Sequence, residues 1–135
     1  MTLMIRKDYI ERLIERVMQA LAQMARLVAT GQFDPALELL RRTSAEVLGP
    51  MGPLMERLDA RSAAELAGRF EIDRIRLYAA LTCEEAAIHE ARGDAARAAA
   101  CYRRGLELYE AGAAAGARLL PADEERIAAA RAFRG

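Results

Sequence analysis

Apolar residues recur at Ile10, Ile14, Val17, Leu21, Met24 and Val28, spaced 4, 3, 4, 3 and 4. That period places them on one face of an α-helix, and Leu13, Ala20 and Leu27 widen the stripe. The pattern predicts a first helix from about Ile5 or Lys7 to Thr30, ended by Gly31. A heptad seam of this length can pack on its own chain or on a second copy. Asp34 and Pro35 then predict the cap and first position of a second helix, roughly 35–48. This helix turns Leu37, Leu40, Ser44, Val47 and Leu48 inward, and Glu38, Arg41, Arg42 and Glu46 outward.

Two glycines and two prolines between Gly49 and Pro53 interrupt the helical pattern. Leu54, Met55 and Leu58 keep the next stretch on the core, and Ser62 with Glu65 predicts a capping box for a short helix at 63–68, closed by Gly68. A long helix follows over about Glu71 to Arg92, with Ile72, Ile75, Leu77, Tyr78, Leu81, Ala86 and Ile88 as its apolar content. Beyond Gly93, Asp94 caps a fifth helix over about 95–111, whose inward candidates are Ala98, Cys101, Tyr102, Gly105, Leu106 and Tyr109. Gly112 to Gly116 weakens or ends it and reads as Ala/Gly filler. Pro121 opens a last helix with Asp123, Glu124 and Glu125 at the positive end of its dipole, and Ile127, Ala130 and Phe133 dock it as a C-terminal cap. The expectation is one all-α domain of about six helices: a first hairpin over about 5–48, a Gly/Pro-containing insert over 49–70, and a second hairpin with its cap over 71–135.

The two hairpins share a phrase, Ala29 to Leu40 and again Ala91 to Tyr102. In each, Gly ends one helix, an acid opens the next, and an Ala five residues past the Gly permits close packing. In the second hairpin Ala86, Gly93, Ala98, Tyr102 and Gly105 fall at spacings 7, 5, 4 and 3, which is similar to the small–Gly–Ala–aromatic–small spine of a tetratricopeptide repeat. The first hairpin matches more loosely through Gly31, Phe33, Ala36 and Leu40, with Thr43 in place of a small Ala. The opening Met4-Ile5-Arg6-Lys7-Asp8-Tyr9-Ile10 also resembles the start of an uncharacterised bacterial family of tetratricopeptide-like proteins, which brings no known activity. The resemblance implies antiparallel helical hairpins and a protein-interaction role. Tandem repeats recur about every 34 residues, whereas Gly31 and Gly93 lie 93 − 31 = 62 apart, so a regular superhelix is not implied. The positions that carry carboxylate-clamping Lys or Asn in peptide-binding repeats correspond to Leu21, Ala25, Cys83 and Ala87, so recognition of an acidic chaperone tail is not implied either. The same alignment puts Met18, Leu21, Ala25 and Val28 on the concave face, as the candidate partner-binding surface.

Composition narrows the function classes. Aromatics are 5% of a 53% hydrophobic chain and Trp is absent, so Ala, Leu, Ile and Met supply a helix-favouring core. The 20 basic and 20 acidic residues cancel, leaving no long-range field for nucleic acid or an anionic membrane. Lys7 is the only Lys among the 20 basic residues, a bias that looks like that of a GC-rich bacterial genome. No apolar run is long enough to span a bilayer and no signal peptide is recognised, so a cytoplasmic protein with reduced thiols is expected. Met4 is a second candidate start beside Met1.

His89 is the only histidine. Glu85 lies one turn before it on the same helix face, and Cys83 lies about 240° round the helix, so no local Cys–His site is expected. Cys101 and Cys83 lie eight residues after and ten before Gly93, within reach of each other across the hairpin. Structural zinc takes four ligands at tight spacings, so the reading is two small buried cysteines and a surface histidine, with no metal or cofactor. Glu84, Glu85, Glu11, Glu15 and the Asp123 group read as solvated helix faces or first turns. No catalytic residue emerges. The expectation is therefore a non-enzymatic interaction or scaffold module whose partner is another protein or, as a homodimer, itself. The alternative is a small-molecule binder with an apolar pocket lined by Met18, Met24, Leu81, Tyr78 or Tyr102.

Overall fold

The computed structural model describes the backbone of residues 2–134 and the side chains of residues 7–134. The Met4–Arg6 part of the opening motif and the choice between Met1 and Met4 lie outside the described side chains. The chain is all-α, with helices α1 (Thr2–Ala29), α2 (Phe33–Leu48), α3 (Gly52–Arg57), α4 (Ala60–Gly68), α5 (Asp73–Ala91), α6 (Ala95–Ala114) and α7 (Pro121–Ala132). The six expected helices are all present, α7 included as the C-terminal one. The short α3 is the addition, preceded by a single 3-10 turn over Gly49–Met51. Here the prolines start helical turns instead of excluding them. Pro50 and Pro53 each sit in a first turn, where the missing N–H has no intrahelical partner to lose.

The two turns of the repeated phrase form as their glycines require, with Gly31 at φ +75° and Gly93 at φ +86°, a region an L side chain rarely adopts. Asp94 caps α6 by accepting the Arg97 N–H at 3.2 Å. Two other expected caps differ. Helix α2 begins at Phe33 with Gln32 as its N-cap and no side-chain cap bond, so Asp34 lies inside the first turn. Helix α4 is capped not by Ser62 but by Asp59, which accepts the Ser62 N–H at 2.8 Å and starts the helix three residues earlier than expected.

Helix α5 is the hub. It touches α1, α2, α4, α6 and α7, and its buried residues go all the way round the helix, from Ile75 and Leu77 to Ala80, Cys83 and Ile88. The stripe of α1 is used within the chain: Leu13, Val17, Leu21 and Met24 all enter the main core, with Ile14 and Val28 packed at its edge. Helix α6 lies very close to α5. A Cβ added at Gly105 would stand 2.5 Å from the Cys83 Sγ, and one at Gly112 would stand 3.0 Å from Ile75. Gly112 is thus a contact residue inside α6, not filler, and the helix continues through it to Ala114. No helix of the described residues is long and apolar enough to cross a membrane.

Helix α7 is held by a buried charge. Asp123, expected as a solvated first-turn acid, is only 1% exposed. Its Oδ1 accepts the Tyr109 hydroxyl at 2.8 Å and its Oδ2 accepts the Leu120 N–H at 2.8 Å. The buried Arg76 donates to Oδ2 at 3.3 Å, and Arg126 stands 3.7 Å from Oδ1. One carboxylate therefore joins α5, α6 and α7, and burial with the carboxylate pushes the Tyr109 hydroxyl well above its ordinary pKa. Two more arginines bridge segments through backbone carbonyls at helix ends. Arg74 of α5 donates to Val47 O, and Arg104 of α6 donates to Met55 O at 3.1 Å.

Replacing Asp123 by Ala removes the hydrogen-bonded partner of the buried Arg76, leaving it only the half-buried Asp73 at 3.7 Å, and is expected to cost about 3 kcal/mol, measured by urea unfolding. Gly105→Ala is expected to lower the melting temperature: overpacking costs about 1–3 kcal/mol, against roughly 1 kcal/mol gained in helix propensity. Combined with Cys83→Ala, which removes the clashing sulfur, the same change is expected to become neutral or favourable. A double-mutant cycle reads that coupling.

Candidate functional site

A groove runs between α2 and α6 with α5 as its floor. Two adjoining depressions, of about 380 and about 540 Å³, share Leu40, Arg41, Glu85, Ala100 and Cys101. Helix α2 supplies an apolar wall through Leu37 and Leu40, and the exposed Arg41 on its rim. Helix α5 presents Tyr78, Leu81, Thr82, Glu85 and His89 upward, and α6 closes the far side with Arg97, Cys101 and Arg104. The helical period explains the floor: 78, 81, 82, 85 and 89 share one face.

Charge along the groove balances in number but not in pairing. Arg41, Arg92, Arg97 and Arg104 stand against Asp34, Glu56, Glu85 and the neighbouring Asp94. Arg92 and Arg97 share one carboxylate, that of Asp94, at 3.8 and 3.5 Å. Arg104 lies over the Tyr78 ring at 5.8 Å. Arg41 has no ionic partner among the described residues.

At the junction of the two depressions Glu85, His89 and Cys101 bring one donor atom each within 4.8 Å of one another. The surface histidine expected from the sequence is instead 5% exposed. Its Nε2 lies 3.5 Å from Glu85 Oε2, while its Nδ1 is buried with no hydrogen-bond partner. The cysteine that joins it is Cys101, across the hairpin, not Cys83 on its own helix. Cys83 points at Gly105 and remains in the core. Both cysteines are free thiols. The residue pattern carried a signal for this: Glu85 and Cys101 are equidistant from Gly93, eight residues either side, and equidistant residues meet in an antiparallel hairpin.

The environment of Cys101 is the opposite of that of a nucleophile. Burial, and then the Glu85 carboxylate that its thiol hydrogen-bonds, push it up to about 12, whereas reactive cysteines have their thiolate stabilised by positive neighbours. Burial likewise pushes Cys83 up to about 11. The constellation is suited to holding a cation, with a thiol, an imidazole and a carboxylate as donors, and not to attacking an electrophile.

The residues expected to bind a partner do not form one open face. Leu21 is only 7% exposed and belongs to the core; Met18 (38%) and Ala25 are exposed and Val28 is half-buried. The expected small-molecule pocket does not assemble as one cavity either. Met24 is fully buried, Tyr78 and Leu81 floor the groove, and Tyr102 packs on Phe133 with ring centroids 4.9 Å apart. An apolar pocket of about 280 Å³ lies elsewhere, in the insert, between Leu48, Met51, Met55, Leu66 and Phe70.

Removing the Glu85 charge lets the Cys101 thiolate form more readily. In chelator-treated Cys83→Ala protein, Glu85→Gln is therefore expected to speed alkylation of Cys101 by iodoacetamide at pH 8. The gain is about three- to fourfold for each pKa unit recovered, a roughly tenfold rise in thiolate partly offset by its lower nucleophilicity, followed by mass spectrometry. No family model, curated protein or solved structure matches the chain.

Proposed function

We propose that this chain is a non-enzymatic, tetratricopeptide-like interaction module that takes an extended, acid-containing segment of a protein partner along the α2–α6 groove. The observation that carries this reading is the shape and lining of the groove. It is elongated and open along one side, where a small-molecule site encloses most of its ligand. The edges of the largely buried Leu37 and Leu40 lie beside Arg41, which has no ionic partner among the described residues, and Arg97, which shares the Asp94 carboxylate with Arg92. An extended peptide satisfies both, laying an apolar side chain on α2 and a carboxylate against Arg41 or Arg97. A cysteine whose pKa is raised by burial and the Glu85 carboxylate, effects that outweigh the nearby Arg97, supports a binding role over a catalytic one.

Self-association through α1, the homodimeric form of the expected interaction module, has less support because Leu21, Val17 and Met24 are committed to the chain's own core. Met18 and Ala25 are the candidates left exposed there.

Random peptides displayed on phage and selected on the immobilised protein are expected to enrich for sequences with Asp or Glu. Arg41→Glu combined with Arg97→Glu should weaken a selected peptide by at least about tenfold, roughly 1.4 kcal/mol, while Met18→Glu leaves it unchanged. Fluorescence anisotropy measures both. Enrichment without acids, or a loss at Met18 and not at the arginines, overturns the groove. A dimer in light scattering that Met18→Glu dissolves returns the interface to α1.

A further inference from the structure

We propose that Glu85, His89 and Cys101 form a transition-metal site, taking Zn²⁺ in preference to Mg²⁺ or Ca²⁺, at the floor of the α2–α6 groove. The donor set comes first. A thiolate and an imidazole select a borderline-soft cation, and the carboxylate completes a three-donor set that an all-oxygen cation does not favour.

Geometry supports the same choice. With Zn–N of about 2.0–2.1 Å and Zn–O of about 2.0–2.2 Å, a tetrahedral angle separates the two donor atoms by roughly 3.4 Å. His89 Nε2 and Glu85 Oε2 stand 3.5 Å apart. They are held there by the helix itself, being one turn apart on α5. All three donors fall within 4.8 Å of one another, so the thiol approaches by a small side-chain adjustment.

The state of the ring fits coordination through Nε2. The His89 ring is buried, with Nε2 3.5 Å from Glu85 Oε2 and Nδ1 without a hydrogen-bond partner. A neutral imidazole has one N–H and one lone pair, so a cation on Nε2 takes the lone pair and the proton sits on Nδ1. Among the described residues only one other buried side-chain nitrogen or oxygen atom is left without a hydrogen-bond partner, the Nε of Arg76, which stands 3.7 Å from the Asp73 carboxylate.

Charge balances on binding. The cation bonds to sulfur, nitrogen and oxygen, and the Cys101 thiol releases its proton to solvent. Two positive charges then meet one thiolate and one carboxylate, giving a neutral cluster. Three protein donors leave a fourth position open toward the groove, where water or a ligand carboxylate can enter.

The test uses the full chain after chelator treatment. Titration with Co²⁺ is expected to reach one equivalent and to produce the near-ultraviolet charge-transfer band of a thiolate–cobalt bond. Zn²⁺ should abolish that band by displacement, and excess Mg²⁺ should not. Cys101→Ser is expected to remove the band, and Glu85→Gln or His89→Gln to weaken Zn²⁺ by about 100-fold or more, beyond what loss of an outer-shell partner costs. Cys83→Ala should keep both band and affinity. Circular dichroism of each variant separates lost binding from lost fold, and the wild-type spectrum needs no variant. No stoichiometric binding, a spectrum without the thiolate band, or binding that survives Cys101→Ser each overturns the site.

Discussion

The close approach of α6 to α5 is the constraint on which the rest of the molecule depends. Two glycines one heptad apart, Gly105 and Gly112, leave room for the Cys83 sulfur and the Ile75 side chain against the α6 backbone. A side chain at either position would push the helices apart by a fraction of their normal spacing, and packed interiors transmit such shifts instead of absorbing them. The Glu85–His89–Cys101 cluster exists because of this approach, since it needs α6 to bring its thiol down to a carboxylate on α5. So does the groove, whose far wall is α6 itself.

Around that pair, arginines do much of the joining. Arg76 and Asp123 tie α5 to α7, Arg74 reaches the last turn of α2, and Arg104 reaches the end of α3. A core made largely of Ala and Leu offers few large surfaces to fix the angle of each helix. Charged hydrogen bonds to helix-end carbonyls and to one buried carboxylate supply direction where apolar packing does not. The arrangement has a consequence for the insert. Residues 49–70 are not a loose linker: α4 packs on both α5 and α6, and Arg104 draws in α3.

Much of this was legible in the residues, and the boundary can be drawn at particular ones. The 4, 3, 4, 3 spacing of α1 specified a buried stripe, since a helix period needs only local geometry. Gly31 and Gly93 specified the turns, because a positive φ excludes most other residues. Asp94 read correctly as a cap, whereas Asp34 and Ser62 did not, because a cap depends on which of several nearby acids or hydroxyls the entering chain places beside free N–H groups. His89 was misread as exposed because nothing on its own helix reveals that the packed helices leave it only 5% exposed. Cys101 lay at a position that hairpin symmetry pairs with Glu85, a signal present in the residues but weaker than the 3.6-residue period.

The amino-acid sequence by itself determined the all-α class, the positions of the long helices and the turns between them, all of which follow from periodicity, propensity and the steric demands of glycine and proline. Only the tertiary structure decided that Asp123 is buried, that Leu21 faces inward while Met18 does not, and that a thiol, an imidazole and a carboxylate share one floor. Those outcomes depend on contacts between residues as far as 47 positions apart. Such contacts are set by how whole helices pack, and no local pattern encodes them.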